Sequence, residues 1–360
     1  MRLAAVRLRH VGPFADTTLG FREATPREDG EEDDAGRPRD AAIVFGADGT
    51  GKTTLLSALA TTRPGYALPP LVQGRAHPGP EGQPAWVRTD WVLGDDDPER
   101  PHPLVVTSPS AVLEAETAEA AAARRREQAL FERRAQVEGG YVFVAFSGAR
   151  WFSRTPNMLT TPERTLLRWD VRQGATFDDP TRADLTRETK QILSYASIAR
   201  ALGAGRAEHE HLARFEAALR EAVDVVLEPF DARYLGASPT TLEPELCLGS
   251  SRVVGLESLP RPARHLVSFV TLAGRALFAG YPGAEEPREA EGVVAIDDVD
   301  AQQDPSLLRH LVPLLRRALP GVQWILTTSS AQLALACEPR DVIALRTSPA
   351  GVEVGEGVLH

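Results

Sequence analysis

Apolar runs, alternating stretches and helically spaced stretches follow one another along this chain in an order that predicts an α/β protein. The first 23 residues (MRLAAVRLRHVG and onward) alternate arginine with apolar residues and contain a Gly12-Pro13 turn, which predicts a β-hairpin. Ala41-Ala42-Ile43-Val44-Phe45 is unbroken and apolar, as in a strand buried on both faces, and a helix pattern over residues 54–59 follows it. Beyond a Pro/Gly-rich linker at 63–84, residues 85–93 and 103–107 read as strands of a small antiparallel subsheet. Residues 111–138 form a helix pattern without Gly or Pro that ends at Gly139-Gly140, and 141–146 (YVFVAF) reads as a buried strand. Residues 161–227 are largely helical in pattern, interrupted by a turn at 174–180, and 207–227 is the longest amphipathic stretch. Near the C-terminus come the strand Val293-Val294-Ala295-Ile296, a helix with Leu307, Leu308, Leu311, Leu314 and Leu315 on one face, and the strand Val322-Gln323-Trp324-Ile325-Leu326.

Candidate chemistry sits at the ends of these elements. Gly46-Ala47-Asp48-Gly49-Thr50-Gly51-Lys52-Thr53, with Thr54 opening the helix, is a complete Walker A loop between an apolar strand and a helix. A glycine-rich turn in that setting arrays backbone N–H groups around a phosphate at the positive end of the helix dipole. Lys52 is placed to reach the β- and γ-phosphates and the Thr53 hydroxyl to bind Mg²⁺, so the expected cofactors are ATP and Mg²⁺. The motif stands out because Lys52 and Lys190 are the only lysines among the chain's 40 Lys and Arg residues. Asp297 and Asp298 end the apolar run at 293–296 in the form of a Walker B strand. The first carboxylate is expected on the metal and the second is placed to polarise an attacking water.

Composition removes several alternatives. Cys247 and Cys337 stand alone, which leaves no disulfide framework or CxxC site, and the eight histidines show no ligand spacing. No apolar run approaches about 18 residues, so a cytoplasmic protein with no membrane partner is expected. The net charge of −10 argues against a surface that is basic throughout, although acidic runs at 28–34 and 95–99 supply part of it and read as solvated loops. Arg124-Arg125-Arg126 and Arg133-Arg134 offer contacts to phosphate backbones, against the simpler reading of a solvated helix face laced with Glu. Guanine-specific P-loop proteins read their base with Asn-Lys-x-Asp, and the single asparagine here, Asn157, stands in Pro-Asn-Met.

The order strand, carboxylates, helix, strand and Thr327-Thr328-Ser329 resembles the RecF/SMC-type branch of the ATP-binding-cassette ATPases, including the AAA-type domain of OLD-family nucleases and of many defence-associated ATPases. The resemblance covers nearly the whole chain. It implies one ATPase domain over 1–360 with a mixed central sheet flanked by helices. Within it lie the hairpin and P-loop (1–62), the subsheet (84–110), a charged helix (111–138), a helical insertion (161–245) and the C-terminal Walker B half (256–360). It also implies a head-to-tail homodimer held by ATP that acts on DNA or on a separately encoded effector protein, in repair or phage defence. An ATP-sensing switch with negligible hydrolysis and a transporter ATPase subunit are the other readings. No nuclease is expected, because only about 30 residues follow Ser330.

Four positions depart from the family pattern. Asp298 stands where a longer Glu is usual, Ser329 where a His is usual, and Phe146-Ser147-Gly148 where a Gln commonly follows the strand. The signature loop that completes a partner's site is matched only by Leu256-Glu257-Ser258-Leu259-Pro260, with Ser258 as the candidate in-trans contact and cap of the following helix. Slow turnover is the implied consequence. Two further residues carry expectations: Arg150 as a neutraliser of phosphate charge, and the loop at Pro13 and Phe14 as a contact for adenine.

Overall fold

The computed structural model describes all residues except 24, 27–31, 34–35, 65, 68–83, 94–103, 110, 112, 114–115, 138–139, 158–183 and 359–360. Most of the linker, the acidic loops and the first part of the helical insertion therefore lie outside the described residues.

A hairpin of β1 (Arg2–Val11) and β2 (Phe14–Gly20) turns at Gly12-Pro13, as the alternation predicts. The Walker strand β3 (Ala41–Gly46) runs into helix α1 (Lys52–Thr61). Strands β4 (Trp86–Val92) and β5 (Leu104–Thr107) join the hairpin in a four-stranded antiparallel sheet, order β2-β1-β4-β5. Helix α2 (Ala118–Val137) begins later than expected because the Thr117 hydroxyl accepts the Ala120 N–H at 3.2 Å and caps it there. Within it Arg124 is buried and bonded to Glu116 and Thr107, so this member of the cluster braces the subsheet and faces no phosphate.

The central sheet has six strands. Strand β6 (Val142–Phe146) lies at one edge, followed by β7 (Gly292–Ile296), β8 (Val322–Thr328), β3, β9 (Val342–Ser348) and β10 (Gly351–Glu356). All neighbours are parallel except the terminal β9-β10 hairpin. This is the expected mixed sheet. Successive residues of its central strands point to opposite faces and both faces are covered, which is why their sequences read as continuous apolar runs. Ile43, Val294, Ile296, Trp324 and Leu326 pack on one side against helices α3 (Thr186–Leu202), α4 (His209–Leu227), α5 (Arg261–Gly280) and α6 (Pro305–Ala318). Val44, Val293, Ala295 and Ile325 pack on the other against α1 and the antiparallel sheet. Gln323, fully buried in β8, accepts the Leu3 N–H at 2.7 Å and donates to its carbonyl at 3.0 Å, stitching the two sheets.

One expectation needs correction. The insertion is not helical through residue 245: helix α4 ends at Leu227, and Ala232–Ala237, Pro244–Leu248 and Arg252–Gly255 form a separate three-stranded antiparallel sheet. Gly236 and Gly249, both at positive φ, mark a register shift and a tight turn in it. The helical pattern stops at Leu227, and the short strands beyond it carry too little periodicity to mark a sheet.

Candidate functional site

The Walker A loop leaves β3 at Gly46, and two left-handed glycines shape it, Gly49 (φ 81°) and Gly51 (φ 94°). Gly51 caps α1 with no side chain across it, so the first N–H groups of the helix point into the loop unobstructed. A Cβ on Gly51 would stand 2.6 Å from Pro13 Cγ and 2.7 Å from Phe14 Cε2. A Cβ on Gly12 would stand 2.8 Å from Thr54 Cγ2. The hairpin turn is therefore a buttress beneath the P-loop. Phe14 is fully buried, which corrects its expected role as an adenine contact, and the Thr54 side chain lies against the turn.

Lys52 is 6% exposed and its Nζ donates to the carbonyls of Gly46 at 2.8 Å and Ala47 at 3.0 Å, holding the ammonium inside the loop. The Thr50 hydroxyl closes the same turn on the Ala47 carbonyl at 2.8 Å, while Ala47, Asp48 and Gly49 face solvent.

Because β8 runs parallel between β7 and β3, the C-terminal end of β7 brings Asp297 and Asp298 to the same edge as this loop. The Thr53 hydroxyl donates to Asp297 Oδ2 at 2.8 Å across 244 residues of chain. Thr327, at the end of β8, donates to Asp297 Oδ1 at 2.6 Å and accepts the Asp298 N–H at 2.8 Å. Asp298 itself has left-handed backbone (φ 43°), and burial together with neighbouring Asp297 raises its carboxyl above the usual range, with Lys52 opposing. Asp300 accepts from the Thr328 hydroxyl in the same turn. Thr53 and Asp297 fit Mg²⁺. No cluster of three or more His, Cys, Asp or Glu among the described residues would hold a metal unaided, and Mg²⁺ in nucleotide sites takes one or two protein oxygens and completes its shell with phosphate and water.

The departures from the family pattern are visible here. Gly148 occupies the edge of the site: a Cβ there would be 3.0 Å from Asp298 Oδ2 and 3.3 Å from Asp297 Oδ2. Arg150 does not face a phosphate, contrary to expectation. It is 4% exposed and turned under the Walker B turn, where it donates to main-chain carbonyls, and burial pulls its guanidinium down to about 10 against the opposing field of the aspartates. Ser329 is exposed, and Ser330 caps the short helix Ala331–Leu335.

Ser258 is exposed and ends a single 3₁₀ turn. It does not cap α5, whose N-cap is Pro260 with no side-chain bond, because buried Leu256 and Leu259 fix the turn inward and prolines flank the helix start. Its other anchor is Lys190, 2% exposed, which pairs with Glu257 and with Glu243. Beside it a cleft of about 300 Å³ is lined by Trp151, Phe152, Arg154, Glu257, Arg261, Arg264 and Gln302. Sequence reasoning missed this cationic cleft, the Lys190 anchor and the two bonds of Thr327. In a chain with so much arginine, Arg154, Arg261 and Arg264 of the cleft did not stand out, and the partners of Lys190 and Thr327 lie far from them in sequence.

No family model matches the chain. Two curated relatives do: a retron Vc95 probable ATPase of Vibrio cholerae serotype O1 biovar El Tor, 24% identical over 123 residues (34% of this chain, 24% of the relative), and a retron Ec83 probable ATPase of Escherichia coli, 24% identical over 88 residues (24% and 16%). The match thus spans about a quarter or less of each relative's length. Among solved structures, an SMC head bound to the C-winged helix domain of ScpA is similar over 100% of this chain and 98% of that one, with TM-score 0.54 and 13% identity. The SMC head domain from Thermotoga maritima is similar over 100% of both chains, with TM-score 0.51 and 13% identity. A third, an Smc head domain with an extended coiled coil bound to the C-terminal domain of ScpA, derived from Pyrococcus furiosus, covers 99% of this chain and 96% of that one, with TM-score 0.53 and 15% identity.

Proposed function

We propose that this chain, which has the fold of SMC head domains, is a RecF/SMC-like ATPase that binds Mg²⁺-ATP at Gly46–Thr54 and Asp297 and hydrolyses it slowly with Asp298 beside the γ-phosphate. The observation that carries this reading is the 2.8 Å hydrogen bond from Thr53 to Asp297, which joins the two halves of a nucleotide site across the sheet. When bound, Mg²⁺ supplies charge neutralisation between phosphate oxygens. The chain's own part is to hold Lys52 in the loop, to fix Asp297 through Thr53 and Thr327, and to present Asp298 on a rigid turn. Slow turnover follows from the short Asp298 side chain and from Ser329, which has no cationic ring to offer a phosphate.

Exposed Ser258 and the adjoining arginine cleft present a surface for the triphosphate of a second copy, so a head-to-tail dimer gated by ATP is part of the proposal. Two of the SMC heads this chain is similar to are bound to a domain of ScpA; by analogy a separately encoded protein, or DNA, is the partner here, in repair or phage defence. No helix among the described residues is long and apolar enough to cross a membrane. A transporter subunit is disfavoured on other grounds, because Leu256-Glu257-Ser258-Leu259-Pro260 is not a proper signature turn and Phe146-Ser147-Gly148 stands where a Gln would follow the strand.

The test is ATP turnover with and without duplex DNA, for wild type, Lys52→Ala and Asp298→Asn, with mass by light scattering. Lys52→Ala is expected to lose binding and turnover. Asp298→Asn should keep binding and lose about 10²- to 10⁴-fold in turnover, the range for a positioned base. Turnover indifferent to both substitutions refutes the reading. The second reading, a switch that holds ATP, is favoured by the short carboxylate. It predicts that Asp298→Glu raises turnover strongly at unchanged affinity.

A further inference from the structure

Arg150 is buried beneath the Walker B turn with its charge unspent on any ion pair among the described residues. One terminal nitrogen donates to the carbonyls of Asp297 at 2.6 Å and Ser147 at 3.1 Å, and the other to the carbonyl of Asp298 at 2.7 Å. Its face lies 5.2 Å from the ring of Phe269 in α5, and its buried Nε has no hydrogen-bond partner among the described residues. A planar guanidinium gripping consecutive carbonyls fixes their relative orientation, which a single ammonium cannot do.

What is gripped matters. Asp298 is held in left-handed backbone, a conformation unfavourable for a residue with a Cβ that persists only where the surroundings over-determine it. The turn also collects the carboxylates of Asp297, Asp298 and Asp300, whose mutual repulsion a cation placed beneath them offsets. Gly148, from the same Ser147–Arg150 segment, leaves space against both leading carboxylates. Where a Gln commonly follows the corresponding strand in the family this chain resembles, this segment instead supports the carboxylates from below.

We propose that Arg150 is a positioning residue for the hydrolytic step: by holding the Asp297 and Asp298 carbonyls it sets the direction of the Asp298 carboxylate toward the γ-phosphate without touching nucleotide. This rests on the ATPase reading above. The bland alternative is a buried arginine that stabilises a turn and nothing else, and the two differ in what a substitution moves.

The experiment uses the full chain with Arg150→Met and Arg150→Lys, measuring kcat and KM for Mg²⁺-ATP, affinity for a non-hydrolysable ATP analogue, thermal unfolding, and amide exchange across residues 297–303. Arg150→Met is expected to lower kcat about 10- to 100-fold, the scale of a small misplacement of a reacting group. KM and analogue affinity should stay within about threefold, with faster exchange confined to 297–303. Arg150→Lys should restore only a minor part of kcat, since it cannot bridge two carbonyls. Unchanged kcat in folded Arg150→Met, or a fall in kcat matched by an equal loss of analogue affinity, overturns the proposal. If Arg150→Met does not fold, Gly148→Ala, which presses on Asp298 while keeping Arg150, must show the same kcat-selective loss or the proposal fails. If wild type binds ATP without turnover, the ATPase reading fails separately. Exchange at 297–303 then decides for Arg150, and unchanged protection in Arg150→Met counts against it.

Discussion

Thr327→Val is the sharpest test of how the two carboxylates are held. Thr327 is fully buried, and its hydroxyl both donates to Asp297 Oδ1 and accepts the Asp298 N–H. Valine keeps the volume and the β-branched shape that suits a strand, so the substitution removes two hydrogen bonds and little else. A hydrogen bond to a charged group contributes about 1.5–3 kcal/mol, and leaving a buried N–H unsatisfied costs about 1–3 kcal/mol. Asp298 is only half-buried and water can reach part of its turn, which moves the expectation toward the lower end of the sum, about 3 kcal/mol. Denaturant titration should show that loss as a lowered midpoint with unchanged slope.

The same substitution leaves Asp297 tethered through Thr53 alone, free to rotate away from the metal position. Removing a partner that orients a metal-binding carboxylate typically costs about 10- to 100-fold in affinity or activity, so the Mg²⁺ concentration for half-maximal turnover should rise on that scale. Thr327→Ser retains the hydroxyl and should lie within about 1 kcal/mol of wild type. A Thr327→Val protein as stable as wild type to within about 0.5 kcal/mol, with the same Mg²⁺ dependence, would refute the account of this turn.

Gly51→Ala should cost about 2–5 kcal/mol, combining a left-handed alanine with overpacking against Pro13 and Phe14, and should abolish ATP binding by calorimetry. Gly49→Ala, at φ 81° but in open space, should cost only about 1–2 kcal/mol; equal effects at the two sites would show that the hairpin does not buttress the loop. His265 in α5 is fully buried, and burial, reinforced by Arg150, lowers its pKa from 6.5 to about 4. The ring stays neutral in the fold while the unfolded chain protonates. Its contribution is therefore complete above pH 6.5 and declines as the pH falls toward about 4, by a total on the order of 3 kcal/mol. His265→Gln should flatten stability against pH in that window, and an unchanged slope would refute the assignment.

The parts of the fold that sequence patterns revealed are those with one dominant physical cause. Strands β3, β7 and β8 are buried on both faces, and their apolar runs admit no other reading in an α/β chain. The P-loop was legible because φ-positive glycines, a lysine and a hydroxyl must fall at fixed spacing. Arg150 was opaque because its role depends on main-chain carbonyls 147 and 148 residues away, which no local pattern encodes. The cap assigned to Ser258 failed for a related reason: serine before a helix is a good local signal, but buried Leu256 and Leu259 determine where the turn points, and Pro260 takes the capping position. The small sheet at 232–255 was missed because its strands are short and partly exposed and only one of its two reversals, at Gly249, carries a glycine.

Three of the departures from the family pattern prove to be neighbours. Gly148 follows β6, Asp298 follows β7 and Ser329 follows β8, and these strands lie side by side and parallel, with Ala145 paired to Ala295 and Ala295 to Ile325. The shorter carboxylate, the missing glutamine and the missing histidine thus alter one continuous edge of the site. The Walker A side, where Lys52, Thr50 and Gly51 hold their places, is unaltered. Under the proposed ATPase reading, three differences gathered at this edge, with a buried guanidinium beneath them, are what a site that keeps binding and alters the geometry of hydrolysis would show. That separation is why the decisive measurements are those that resolve affinity from turnover, residue by residue.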